Sequence, residues 1–255
     1  MNARTGGSVT FINQSVEGDT VGNAIPSDMG FLAYFNADGT VGDYYRGYVG
    51  DTGGNVWRLD IEGPNPANWK LHTFAQLGSG YKILYAPDLV HAGDKDVILA
   101  GSGDREKPLV QTSNDRFWGL YDKQPGKALV SGALNKKIQT ADLEQIAQGS
   151  AFSGDTTKFG WTFPMAVGEK VVNSPLTIAG YEKIRPVAWR PYGLDYIPRR
   201  FCTGTALLSD GVKRRIDYSV REGLGLIGVT WGVDYCVLGL DRNWAYAPAC
   251  QMARP

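Results

Sequence analysis

One stretch constrains this chain more than any other: Tyr48-Val49-Gly50-Asp51-Thr52-Gly53-Gly54-Asn55-Val56-Trp57-Arg58-Leu59-Asp60. Val49 precedes a turn, and Val56, Trp57 and Leu59 follow it. Between them, Asp51 to Asn55 supplies side-chain acceptors and glycines able to take positive φ, as a tight turn requires. The segment reads as a β-hairpin closed by an aromatic side chain.

The remaining text repeats that rhythm of short apolar runs and turns. Candidate strands fall at residues 8–12, 29–35, 81–85, 96–100, 116–122, 127–130, 160–163 and 170–172, with a polar loop over 36–45. Residues 224–229 and 235–240 are further candidates. The best helix candidate is 140–146, with Thr140 as N-cap and Asp142 and Glu144 near the positive end of the dipole. Thirty-three Gly, thirteen Pro and 11% aromatics agree with a turn-rich β protein. The expected class is all-β, with antiparallel sheets stacked as in a sandwich or propeller, and one short helix.

Charge and cysteine content narrow the partners. Twenty-six basic and 26 acidic residues cancel, which points away from nucleic acid and anionic membrane surfaces. No apolar run is long enough to span a bilayer, and residues 1–7 lack the apolar core of a signal peptide. Cys202, Cys236 and Cys250 have no C-x-x-C spacing, and His72 and His91 are the only histidines. A zinc site and a Cys-His catalytic pair are therefore not expected. The thiols read as incidental.

Four segments carry a family resemblance: 48–60, Gly101-Ser102-Gly103-Asp104-Arg105-Glu106-Lys107-Pro108, 116–122, and 168–177. In this order and spacing they resemble the C-terminal β-propeller domain of the type IV pilus factors of the PilY/PilC family, over about residues 26–179. The resemblance implies propeller-like, quinoprotein-like blades over 1–179, followed by a divergent continuation over 180–255. It implies a non-enzymatic role in pilus biogenesis, twitching motility and surface attachment, with minor pilins or other pilus components as partners and a host or abiotic surface as target. It also implies an exported chain, at the cell surface or fimbrium, the outer membrane or the periplasm. A missing signal peptide then means a piece of a longer protein or a truncated gene product.

Many members of that family carry a calcium loop just before the hairpin. Here the corresponding text is Asn36-Ala37-Asp38-Gly39-Thr40-Val41-Gly42-Asp43-Tyr44. Asn36, Asp38 and Thr40 fall on alternate residues, where oxygen ligands converge on Ca2+ as the chain curls. The loop departs from the family pattern at its ninth position, which is Tyr44, with Asp43 one residue early. The competing reading is an ordinary Asp-Gly turn.

Other constellations read as structural. Asp104, Arg105 and Glu106 form a charged turn at a strand end, and Asp142, Glu144 and Asp155 have no spacing fixed for acid-base work. The alternative function is a quinoprotein-like oxidoreductase, which needs a Ca2+-ligand set, a catalytic Asp and cations for the quinone carboxylates. No such set can be assembled from the sequence. Arg46-Gly47-Tyr48 is the nearest approach to an R-G-D.

From Tyr181 the text changes: nine of fourteen Arg and all three Cys lie there, against two of twelve Lys. The reading favoured is a degraded or frame-shifted tail rather than a divergent blade. It predicts poor burial of Trp189, Trp231 and Trp244, and no pairing among the three cysteines.

Overall fold

A computed structural model describes residues 21–35, 41–61, 63–107, 109–110, 112–124, 137–147, 153–191, 198–221, 232–241, 246 and 248–255. The described chain is all-β and divides into two compact units, residues 1–175 and 176–255. Candidate strands at 8–12, 127–130 and 224–229 lie outside the described residues, as do Asn36, Asp38, Thr40, Trp231 and Trp244.

The first unit contains two five-stranded sheets. One runs β1 (Gly30–Phe35), β2 (Val41–Gly50), β3 (Asn55–Asp60), β4 (Lys70–Gln76), then β8 (Ile138–Gln139). The other runs β5 (Asp88–Ala92), β6 (Lys95–Gly101), β7 (Arg116–Asp122), β10 (Gly160–Pro164), then β9 (Glu144–Gln145). The pairs are antiparallel except β4–β8 and β10–β9, where short parallel bridges close each sheet. The expected 48–60 hairpin is β2–β3, with Val49 opposite Trp57.

The two sheets share one core. Val56 and Ala75 of the first sheet, and Ile98, Ala100, Trp118 and Leu120 of the second, are buried in it. Strand alternation carries the same faces onward to charge. Beyond Val56 come Arg58 and Asp60, and beyond Ile98 and Leu120 come Asp96 and Asp122. Both inner faces thus grade from apolar to ionic, and all four of these charged strand residues are fully buried or nearly so.

Several expectations change here. Residues 140–146 are not an α-helix but one 3-10 turn, Thr140–Asp142, followed by β9. Thr140 does not cap it, because its Oγ1 donates to the Leu77 carbonyl at 3.0 Å. Glu144 and Gln145 instead find backbone partners in β10. Residues 81–85 form no strand and run as an extended connector, whose Ile83 N–H donates to Asp51 O at 3.1 Å. Residues 170–172 likewise run extended, with Val171 N–H donating to Ser102 O at 2.9 Å. The polar loop expected to reach Tyr45 ends by Val41, where β2 begins.

The second unit is a four-stranded antiparallel sheet in the order β11 (Ile178–Arg190), β12 (Arg199–Leu208), β13 (Lys213–Arg221), β14 (Gly232–Val237). Ala206, Leu208, Ile216 and Val237 form its own small core on one face. Cys236 and Cys250 form a disulfide, tying the C-terminal segment to β14 on the other face. This overturns the expectation that no cysteines pair, and the described part of residues 176–255 forms a sheet with a small core of its own. Cys202 stays a free thiol, and Trp189 is 46% exposed.

Candidate functional site

The chemistry of the first unit concentrates where the two inner faces turn ionic. Asp96 and Asp122 are opposite each other on β6 and β7, a pairing that is repulsive by itself. The guanidinium of Arg46, on β2, reaches both: Nη1 lies 2.9 Å from Asp122 Oδ2 and 3.9 Å from Asp96 Oδ2. Its Nε donates to Asp60 Oδ1 at 2.9 Å, and its Nη1 also donates to the Gln124 carbonyl. Arg58, on β3, adds Nη1 to Asp122 Oδ2 at 2.6 Å and Nη2 to Asp60 Oδ2 at 3.2 Å. Tyr48 donates its hydroxyl to the same Asp122 oxygen at 2.6 Å.

Two arginines therefore face three buried carboxylates, and two histidines lie on the surplus negative charge. His72 Nε2 is 3.2 Å from Asp60 Oδ2, though without a well-formed hydrogen bond. His91 Nδ1 is 2.9 Å from Asp96 Oδ1, and its ring reaches solvent. Tyr45 donates to both oxygens of Asp96 at 3.2 Å.

The electrostatics follow from burial and pairing. Burial, the largest single influence, would raise the Asp60 carboxyl; His72, Arg58 and Arg46 outweigh it and hold the group below its ordinary value. Burial and the adjacent Asp122 charge push the Tyr48 hydroxyl well above its usual range. Tyr45 is raised for the same reasons, with Asp96 as the charge. The phenols are thus held as neutral donors, and the cluster works as an ionic clasp between sheets. It offers no exposed nucleophile.

A second polar centre organises the hairpin. Asp51 is fully buried, and its Oδ1 accepts from the N–H groups of Gly53 at 2.8 Å and Asn55 at 2.9 Å. Its Oδ2 accepts from Asn55 Nδ2 and Trp57 Nε1, both at 2.9 Å. Gly54 takes φ +77°, and a Cβ there would meet Gly78 O at 2.0 Å. The Gly-Asp…Gly-Asn-x-Trp wording is therefore a turn held by one carboxylate.

Of the four calcium candidates, Asp43 alone is described. It is exposed on β2 and has no partner among the described residues, so its carboxylate is accessible to a cation. The charged turn at Asp104 and Glu106 is structural: Lys82 Nζ lies 2.9 Å from Asp104 Oδ2 and 3.1 Å from Glu106 Oε2 on the surface. Glu144 accepts from the Ser153 N–H at 2.9 Å, and Asp155 from the Thr157 N–H at 2.9 Å. Among the described residues no three His, Cys, Asp or Glu side chains gather as a metal group.

No joint role of the clasp residues was expected from the sequence. Their signal was present in part: Arg46, Arg58 and Asp60 occupy alternating positions in strands that are otherwise apolar. Of the segments singled out by resemblance, 48–60 and 116–122 supply clasp residues, and the other two touch their neighbours elsewhere. Segment 48–60 meets 116–122 through Tyr48 and Asp122. Segment 101–108 meets 116–122 through the β6–β7 ladder, and 168–177 through Val171 N–H to Ser102 O.

No family model matches this chain, and no curated protein matches it. Among solved structures, the chain is similar to the crystal structure of the Pseudomonas aeruginosa PilY1 C-terminal domain. The match has a TM-score of 0.42 and 16% identity, and covers 70% of this chain. It spans 43% of the length of that chain.

Proposed function

We propose that this chain is a non-enzymatic module of type IV pilus assembly and surface attachment, acting through protein contacts. The observation that carries the reading is the connection among the four segments that resemble the PilY/PilC propeller. Hydrogen bonds join 48–60 to 116–122 and 168–177 to 101–108, and a hairpin ladder joins 101–108 to 116–122. The partners are minor pilins or other pilus components, and the setting is exported, at the fimbrium or in the periplasm. A Cys236–Cys250 disulfide fits an oxidising compartment. No helix among the described residues is long and apolar enough to cross a membrane, which leaves β-barrel spans unaddressed.

Calcium belongs to the reading as its regulatory part, with Asn36, Asp38, Thr40 and Asp43 as oxygen ligands. The exposed carboxylate of Asp43, without a partner among the described residues, is what supports it. Pull-down with purified minor pilins tests the function: saturable binding is expected. Turnover of a small substrate without any pilin binding would overturn it.

A further inference from the structure

The second unit covers one face of its sheet with its own C-terminal segment, and cations gather beneath it. Register puts Arg185, Thr203, Asp217 and Cys236 in one cross-strand row. Strand alternation places Glu182, Thr205 and Arg215 in the neighbouring row on the same face. The Cys236–Cys250 disulfide draws the C-terminal segment over that face and brings Arg254 beside Asp217. Between segment and sheet lies a cleft of about 210 Å³, lined by Arg185, Arg215, Arg254 and Asp217, with Val187 and Phe201 among its apolar walls.

Asp217 organises these cations. It is buried, and its Oδ2 accepts from Arg254 Nε at 3.0 Å and lies 3.1 Å from Arg215 Nε. Its Oδ1 accepts from Thr203 Oγ1 at 2.7 Å. Both guanidinium groups are thus held through Nε, and their Nη groups have no hydrogen-bond partner among the described residues. Arg185, across the strand pair from Thr203, has no ion-pair partner among the described residues. Glu182 is taken by Lys213 Nζ at 3.0 Å, and Pro255 at the rim makes no ion pair with the three arginines. Three guanidinium groups therefore share one carboxylate in the cleft. Two of them are already ordered by it, so a ligand does not meet the full cost of fixing those long side chains.

We propose that this cleft binds the phosphoryl group of a small phosphate monoester. A phosphate dianion matches the excess of positive charge, and its three terminal oxygens offer acceptors to the Nη groups of Arg215 and Arg254 and to Arg185. A single carboxylate has one charge and two oxygens, and leaves one of the three arginines unmatched. The organic part of the ester lies against Val187 and Phe201, and the size of the cleft suits a small alcohol or phenol. The site stands on the second unit alone and does not depend on the pilus assignment.

The test uses the full chain and phenyl phosphate, followed by isothermal titration calorimetry, with benzoate as the carboxylate control. Phenyl phosphate should bind saturably and be displaced by inorganic phosphate, and benzoate should bind about tenfold more weakly or worse. Affinity should rise between about pH 5 and about pH 7 with the second ionisation of the ester, because residues 176–255 contain no histidine to titrate there. Arg185→Ala, at an exposed position without an ion pair, should weaken binding about tenfold or more. Arg254→Lys keeps the charge, loses the fork, and should weaken binding as well. Lys107→Ala in the first unit should leave it unchanged. No saturable binding of phenyl phosphate overturns the proposal and leaves the arginines as a solvated cluster. Equal binding of benzoate, or binding indifferent to Arg185→Ala, overturns it too. So does binding to phosphatidic acid vesicles without binding to phenyl phosphate, which would assign the cations to a lipid surface.

Discussion

The Tyr48 hydroxyl donates to Asp122 Oδ2 at 2.6 Å, joining β2 of one sheet to β7 of the next across 74 residues of sequence. The same oxygen takes Arg46 and Arg58, so one carboxylate receives three donors from two neighbouring strands. Its removal and the removal of the phenol are therefore unequal events. Tyr48→Phe deletes one donor and leaves the ions paired, at a cost of about 1 to 2 kcal/mol. Asp122→Ala leaves two buried guanidinium groups facing less charge, at about 3 to 5 kcal/mol. Urea unfolding of the two variants checks the order.

Stability should form a plateau with two flanks. Asp60 has a folded pKa below its unfolded value, so its contribution is present above pH of about 4 and is lost as pH falls through the folded value. Tyr45 and Tyr48 have folded values above 10.0, so their contribution is full below that and is lost as pH rises beyond it. Denaturation midpoints measured across pH should fall at both ends, and Tyr48→Phe should soften the alkaline flank alone.

Asp51 should be the least replaceable residue of the hairpin. Asp51→Ala strands four donors in a buried turn and is expected to cost about 3 kcal/mol or more. Near-ultraviolet circular dichroism, which senses Trp57, should lose its native signal before the clasp variants lose theirs.

Reduction should weaken the second unit selectively. The bond closes a loop with a sequence separation of 14, for which chain entropy gives about 3 kcal/mol. Peptide mapping should find Cys236 linked to Cys250 and Cys202 free, and a reductant should lower the unfolding transition of that unit.

Calcium gives a further check. At about a hundred times its dissociation constant it should stabilise the fold by about 2.7 kcal/mol. Asp38→Ala should abolish the shift, and melting curves that coincide in calcium and in chelator would dispose of the site.

Local chemistry made β3, β6, β7 and β10 legible, because apolar alternation and flanking Gly and Asp mark them directly. The clasp was not legible, since Arg58 and Asp122 meet across 64 residues and no local pattern reports that. Thr140 looked like an N-cap because hydroxyls favour that position, yet a tertiary partner, Leu77 O, took its proton. The 13-residue β11 was hidden by Pro186 and by its register breaks, which disrupt the period a strand should show. Three scattered cysteines held no clue to the one pair that forms. Of the calcium candidates, Asn36, Asp38 and Thr40 fall outside the described residues, and Asp43 by itself defines no site.

The measurement that bears most directly on the account is complementation of a gene deletion in the source organism, read as pilin sheared from the cell surface. Deletion should abolish surface pili, the unaltered gene should restore them, and Asp122→Ala should not, because it opens the framework joining the four segments. Pili unchanged by the deletion would contradict the account.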